Sequence, residues 1–112
     1  MEVKAVAKDT GIPAAKVRPL VDMVRGKKVD EALTLLRFTP TPKARVVAKA
    51  VQSAAANAEN NFQIDPADLK VVSIYVDEAR SLRRFRPRSR GRVSPIRKRS
   101  SHITVIVAEQ EG

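Results

Sequence analysis

The side chains of this chain with the most evident chemistry are its arginines, and they are concentrated in one segment. Residues 80–99 contain nine Arg, one Lys and no acidic residue, within a chain of 22 Lys+Arg and 12 Asp+Glu whose formal net charge is +10. The other 92 residues therefore carry 12 bases and 12 acids and are formally neutral. A cationic segment on a balanced body is typical of proteins that bind a dense line of negative charge, and nucleic acid is the usual one.

The residue types in this segment favour direct contact with phosphate. The planar guanidinium forms bidentate hydrogen bonds with phosphate and stacks on bases, whereas a solvated charge run, the alternative for any basic stretch, could equally use Lys. Leu82, Phe85 and Ile96 lie between the bases and would add apolar or stacking contacts. We therefore interpret the segment as a nucleic-acid contact.

A second, smaller basic cluster surrounds the first predicted helix and its exit. Its members are Lys16, Arg18, Arg25, Lys27 and Lys28. We interpret this cluster as an auxiliary contact to nucleic acid, with an ordinary charged helix surface as the alternative.

The sequence offers few side chains that could catalyse a reaction or bind a metal ion. The chain has no cysteine and one histidine, His102, and it contains no Gly-rich phosphate loop. Asp77 and Glu78 are neighbours on a predicted strand, so they would point to opposite faces and could not share a proton. The sequence predicts no enzyme, no catalytic residue, no metal site, no cofactor and no small-molecule substrate.

Hydrophobic periodicity predicts the elements that position the basic segment. Alternation predicts a strand at residues 2–9, and apolar residues at helical offsets predict helices through residues 17–24 and 29–36. Because Pro19 lies inside the first helical pattern, that helix either starts near Lys16 or is kinked. Gly26 is the expected stop of that helix, and the second helix should end by Phe38.

A longer helix and two strands complete the pattern. Thr41 as N-cap with Pro42 at the first helical position predicts a helix that runs to Asn60 and Asn61. A strand should then place Val72, Ile74 and Val76 on one face, and another should place Ile103, Val105 and Val107 on one face.

These last two strands flank the basic segment. If they pair antiparallel, residues 80–99 form a long β-hairpin with its tip at Gly91 or within residues 90–94. Ten residues per limb give a reach of roughly 33 Å. Pro87 and Pro95 lack a backbone donor, so we expect the pairing to lapse near them. Burial of such an arm would leave ten cations without partners, so the arm should project towards an anion.

Several runs of residues resemble the large-subunit ribosomal protein family numbered twenty-two. They are VDE at 76–78, RPRSRGR at 86–92, KRSSHITV at 98–105, KVR at 16–18, VRGK at 24–27, SAAANA at 53–58 and NN at 60–61. The resemblance implies an α+β fold with three helices packed on a three-stranded antiparallel sheet (β-α-α-α-β-β) and a long projecting β-hairpin. The length fits one domain, residues 1–112, and the charge distribution divides it into a globular body at 1–79 and 100–112 and an extended basic arm at 80–99.

The same resemblance implies a function and its partners. Members of this family are constituents of the large ribosomal subunit that bind its rRNA, help it to assemble, and line the nascent-peptide exit tunnel with the hairpin. The implied partners are large-subunit rRNA, neighbouring ribosomal proteins and the nascent polypeptide, in the cytoplasm. The expected rRNA-binding residues are Arg80, Arg83, Arg84, Arg86, Arg88, Arg90, Arg92, Arg97, Lys98, Arg99, Lys16, Arg18, Arg25, Lys27 and Lys28. The expected tunnel-facing tip consists of Leu82, Arg83, Arg84, Arg88, Arg90, Gly91 and Arg92.

Two other classes of basic protein compete with this interpretation. A DNA-binding or architectural protein would need a recognition helix with several bases on one face, whereas these helices carry mixed charges. A cationic hairpin on a membrane surface would need a continuous apolar face, which the arm lacks. No apolar run approaches the roughly 18 residues of a membrane span, and the absence of cysteine fits a reducing compartment, so we expect a cytosolic protein without a membrane partner.

Overall fold

The structure, a computed structural model, describes residues 2–8, 10–79, 82–87, 93–98 and 100–109, and for residues 82–87 and 93–98 it describes the backbone alone. The secondary structure confirms the predicted α+β fold and the order of its elements. Those elements are β1 (Glu2–Ala7), α1 (Ala14–Val24), α2 (Val29–Phe38), α3 (Lys43–Phe62), a 3-10 turn (Pro66–Asp68), β2 (Leu69–Glu78), β3 (Leu82–Pro87), β4 (Val93–Lys98) and β5 (Ser101–Glu109).

The body has two layers, a three-stranded antiparallel sheet and a layer of three helices. Strand β5 lies in the centre and pairs with β1 on one side and β2 on the other. Ala5, Val105 and Ile74 stand opposite one another across the three strands, and all three are buried. Removing such side chains from water drives the layers together, at about 1.5–3 kcal/mol for each buried Val or Ile.

The longest helix, α3, packs on the sheet through small side chains. Val47, Val51, Ala54 and Ala58 recur at helical spacing and are fully buried. The alanines let the helix backbone approach the sheet closely, which compensates for a core with few large side chains. This packing fixes the sheet from which the arm projects.

The helix boundaries differ from the predictions in two places. Helix α1 begins at Ala14 with Pro19 in its interior, so of the two alternatives for this helix the start near Lys16 was wrong. Helix α3 begins at Lys43 with Pro42 at the N-cap position and no side-chain capping bond, so the prediction of Thr41 as N-cap and Pro42 as first helical residue was wrong by one position. The Thr41 hydroxyl accepts instead from the Lys43 N–H at 3.4 Å. The predicted stops of the first two helices are confirmed, because α2 ends at Phe38 and Gly26 follows α1 with φ +80°.

Strand β2 contains a bulge that the periodicity did not predict. Val71 stands opposite Val107 and Ser73 stands opposite Ile106, so Val72 has no partner on β5. The extra residue shifts the alternation by one position, and Val71 rather than Val72 joins Ile74 and Val76 in the core. The prediction that Val72 shares their face was therefore wrong, and its side chain is 43% exposed.

Candidate nucleic-acid interface

Strands β3 and β4 form the predicted antiparallel hairpin, with a register that runs from Leu82 opposite Lys98 to Pro87 opposite Val93. Phe85 stands opposite Pro95, so the expected lapse of pairing near the prolines was wrong. A two-stranded ribbon has an outer edge on each strand, and a residue whose N–H would point outward can be proline without loss of a ladder bond.

The register divides the described bases of the arm between the two faces of the ribbon. Successive residues of a strand alternate between its faces. Arg84, Arg86 and Lys98 therefore belong to one face of the hairpin, and Arg83 and Arg97 stand opposite each other on the other face. Both faces of the ribbon carry positive charge.

The hairpin continues two strands of the body. Glu78 still pairs with Ser101 at the end of the body sheet, and the Ala79 N–H donates to the Ser100 carbonyl at 3.0 Å. Strands β3 and β4 then follow β2 and precede β5 along the chain. The molecule extends 67 Å along its longest axis and 27 and 17 Å across it, which matches a body with a projecting arm.

The root of the arm is fixed by hydrogen bonds to the loop before α1. The fully buried Ser101 hydroxyl donates to the Ile12 carbonyl at 2.7 Å and lies 2.7 Å from the Thr10 hydroxyl. The Thr10 hydroxyl can donate its single proton either to Ser101 or, at 3.4 Å, to the same Ile12 carbonyl. The Thr10 N–H donates to the Ser101 carbonyl at 3.0 Å, and the Gly11 N–H donates to the Ser100 hydroxyl at 2.9 Å. The sequence did not predict this contact between the start of β5 and the loop before α1. The only hint in the sequence is the pair of adjacent serines, Ser100 and Ser101, directly after the basic segment.

The predicted residues of the arm are only partly covered by the described chain. The backbone of Leu82, Arg83, Arg84, Arg86, Arg97 and Lys98 lies in β3 and β4. The expected positions Arg80, Arg88, Arg90, Gly91, Arg92 and Arg99, which include most of the expected tip, lie outside the described residues.

The second predicted cluster is split by the length of α1. Lys16 and Arg18 are exposed near its first turn, whereas Arg25, Lys27 and Lys28 follow its last turn. At 1.5 Å per residue, about 10–14 Å of helix separates the two groups. Arg25 is also committed to the protein, because its guanidinium donates to Asp22 and to the Ile74 carbonyl. The structure thus brings together three of the five residues, namely Arg25, Lys27 and Lys28.

A metal site needs several clustered ligands, and a membrane span needs a long apolar helix, among the described residues. Within them, no three His, Cys, Asp or Glu side chains lie close enough to hold a metal ion. None of the described helices is both long and apolar enough to span a membrane.

Comparison with known proteins gives a consistent result over almost the whole chain. Residues 5–108 match the family model described as ribosomal protein L22p/L17e. A protein of Dehalococcoides mccartyi named large ribosomal subunit protein uL22 is 70% identical over 109 residues, which are 97% of this chain and 100% of that protein. Proteins of the same name are 53% identical in Pediococcus pentosaceus, over 97% of this chain and 93% of the relative, and 51% identical in Pelotomaculum thermopropionicum, over 99% and 98%.

Proposed function

Because the chain belongs to the ribosomal protein L22p/L17e family and is a structural constituent of the bacterial large ribosomal subunit, we propose that it binds large-subunit rRNA chiefly through the bases of residues 80–99. It is part of the ribosome in the bacterial cytoplasm, and its family is one of structural proteins rather than enzymes. The chemistry of this chain is then charge neutralisation, with no catalytic step and no cofactor. The chain is a single domain, with a body at 1–79 and 100–112 and an arm at 80–99.

One observation carries this proposal, namely the distribution of the arm's bases over both faces of the ribbon. Arg84, Arg86 and Lys98 lie on one face, and Arg83 and Arg97 lie on the other. Arg83 and Arg97 are like charges at opposite positions of a strand pair, which destabilises the pair, so an anion beside their face would stabilise the hairpin. The bases of the other face stand opposite uncharged residues and add a second set of cations. A ribbon of this kind is suited to insertion between RNA strands, where phosphates surround it, rather than to a flat surface that contacts one face.

The rigid root of the arm supports the same proposal. The buried Ser101 ties the start of β5 to Thr10 and Ile12, so the point at which β5 begins is fixed on the body. A basic segment with an anchored end loses less conformational entropy on binding than a free basic tail would. The expected tip, formed by Leu82, Arg83, Arg84, Arg88, Arg90, Gly91 and Arg92, would then reach the path of the nascent polypeptide, and the body would contact rRNA and neighbouring ribosomal proteins.

The salt dependence of binding, measured face by face, tests the proposal. The plot of log affinity against log salt has a negative slope, and each phosphate that the protein neutralises makes this slope steeper by about 0.7 for single strands and 0.9 for duplexes. Removal of a contacting cation makes the slope shallower by the same amount. The triple variant Arg84→Gln, Arg86→Gln, Lys98→Gln should therefore make the slope shallower by about 2–3. The double variant Arg83→Gln, Arg97→Gln should make it shallower by about 1.4–1.8.

The measurement uses bacterial large-subunit rRNA freed of protein, with Lys4→Gln, Lys70→Gln as the control, since both lysines are exposed on the body sheet. Insertion between RNA strands predicts that both arm variants lose slope and the control does not. Loss in only one arm variant means that one face of the arm lies on an RNA surface. If neither arm variant differs from the wild type, the arm is not the electrostatic contact, and equal affinity for duplex DNA would favour a DNA-binding protein.

A further inference from the structure

A groove between α2 and α3 forms a second place on the body where basic side chains converge. Its volume is about 740 Å³, and residues of both helices and of the loop that joins them line it. The lining residues used below include Thr34, Arg37, Thr39, Arg45, Ala48 and Gln52. Arg45, Ala48 and Gln52 are three and seven residues apart on α3, so they share one face of that helix.

The two charged residues that line this groove, Arg37 and Arg45, are both basic, and the acidic residues Asp30 and Glu31 lie one turn before Thr34 on α2. Residues 32–58 contain four bases, Arg37, Lys43, Arg45 and Lys49, and no acidic residue, although the body as a whole is formally neutral. Among the described residues, the one ion pair joins Asp22 and Arg25, so no described carboxylate pairs with Arg37 or Arg45. A concave surface lined by unpaired arginines attracts an anion.

Hydrogen bonds within the protein determine which lining groups can donate to that anion. The Thr34 hydroxyl donates to the Asp30 carbonyl at 2.8 Å, and the Thr39 hydroxyl donates to the Leu35 carbonyl at 2.7 Å. Each hydroxyl has one proton, so neither threonine can donate to a ligand. The side-chain donors that remain available in the groove are the guanidinium groups of Arg37 and Arg45, together with the Gln52 amide and the Thr41 hydroxyl, which accepts from the Lys43 N–H and keeps its own proton. The guanidinium fork matches the paired oxygens of a phosphodiester.

An exposed aromatic residue lies between two lining residues of the groove in the sequence, although it does not itself line the groove. Phe38 is the last residue of α2, stands between the lining residues Arg37 and Thr39, and is 76% exposed, the largest exposure of any large apolar side chain described. Leaving this ring in water costs free energy that contact with a flat partner would recover. A nucleic-acid base is such a partner, and single-stranded RNA stacks its bases on aromatic side chains.

We propose that the α2–α3 groove binds a single-stranded segment of RNA, with Arg37 and Arg45 on its phosphates and Phe38 stacked on a base. The inference rests on the proposed function, which supplies the RNA, and adds a body contact separate from the arm. We assign RNA rather than a peptide as the occupant because no carboxylate among the described residues lines the groove that could bind the cationic groups of a peptide. Ala48 keeps the groove open, because a larger side chain at that lining position would occupy it.

Salt-dependent binding of the full chain to bacterial large-subunit rRNA freed of protein tests this groove. The double variant Arg37→Gln, Arg45→Gln should make the slope shallower by about 1.4. The control Lys4→Gln, Lys70→Gln removes the same charge from the sheet side of the body and should leave the slope unchanged. Restoring the charge with Arg37→Lys, Arg45→Lys should recover the slope. Ala48→Leu, which keeps every charge and fills the groove, should weaken binding at least threefold.

A crosslink identifies the occupant directly. With a photoreactive benzoylphenylalanine in place of Phe38, irradiation of intact large subunits should link the protein to rRNA. Exclusive crosslinks to another protein would overturn the proposal and indicate a protein partner for the groove. Equal slopes for the groove variant and the control would also overturn it. In both cases the arm variants would still lose slope, so failure of this inference is distinguishable from failure of the proposed function.

Discussion

The guanidinium of Arg25 donates two hydrogen bonds to the backbone carbonyl of Ile74, at 2.8 Å from Nη2 and 3.3 Å from Nε. Ile74 lies in β2, an outer strand of the body sheet, so this carbonyl faces away from β5. Next to it, Val71 accepts from the Gly26 N–H at 3.0 Å and donates to the Lys27 carbonyl at 2.8 Å. The segment that follows α1 therefore covers part of the open edge of β2, which would otherwise be free to pair with another strand.

The edge contact predicts that Arg25→Gln mainly affects stability. The change removes two bonds from a charged donor to the Ile74 carbonyl, so the free energy of unfolding should fall by about 1–3 kcal/mol. Affinity for rRNA should change little, because three of the five guanidinium N–H groups already bind protein acceptors. Urea denaturation checks the stability, and the exposed Arg18→Gln on the same helix is the control, expected within about 0.5 kcal/mol of the wild type. If Arg25→Gln keeps full stability but loses RNA affinity, Arg25 is an RNA contact instead.

The buried serine at the root of the arm gives a second stability prediction. Ser101→Ala takes the 2.7 Å donor from the Ile12 carbonyl, which keeps only the longer 3.4 Å bond from the Thr10 hydroxyl. Loss of this buried hydrogen-bond partner should cost about 1–3 kcal/mol. Ser100→Ala is the matched control, because its bond to the Gly11 N–H is exposed to water and should cost less than about 1 kcal/mol. Denaturation curves of the two variants that coincide would show that the buried pair does not anchor the arm.

Periodicity and composition predicted the parts of the fold that local sequence determines. The alternation of Ile103, Val105 and Val107 predicted β5, and the excess of Arg in residues 80–99 predicted the arm. Contacts between distant residues were not predictable in this way. Thr10 and Ser101 are 91 residues apart, and no local pattern pairs them. The α2–α3 groove was missed for the same reason, since its arginines lie on two helices whose side-by-side packing only the folded chain defines.

The bulge in β2 separates two adjacent valines that the sequence cannot distinguish. Val71 is fully buried and Val72 is 43% exposed. Threonine has nearly the shape of valine, so Val71→Thr tests the burial of a hydroxyl and should cost about 1–3 kcal/mol. Val72→Thr should stay within about 0.5 kcal/mol of the wild type. Thermal denaturation of both variants checks the register, and a larger loss for Val72→Thr would mean that the unbulged alternation is correct.

Pro19 in the middle of α1 predicts that this helix can be stabilised. Pro19 has no N–H to give the Ala15 carbonyl, and proline in a helix interior costs about 3 kcal/mol relative to alanine. Replacing proline also raises the conformational entropy of the unfolded chain, which offsets about 0.4–1 kcal/mol of the gain in folding stability. Because Pro19 is exposed and loses no packing, Pro19→Ala should raise the free energy of unfolding by about 2 kcal/mol in urea denaturation. Pro13→Ala is the control, since Pro13 precedes the helix with φ −57° and ψ 140° and its removal should give no gain. Equal effects of the two substitutions would mean that α1 already accommodates the missing bond, for example through water on the exposed Ala15.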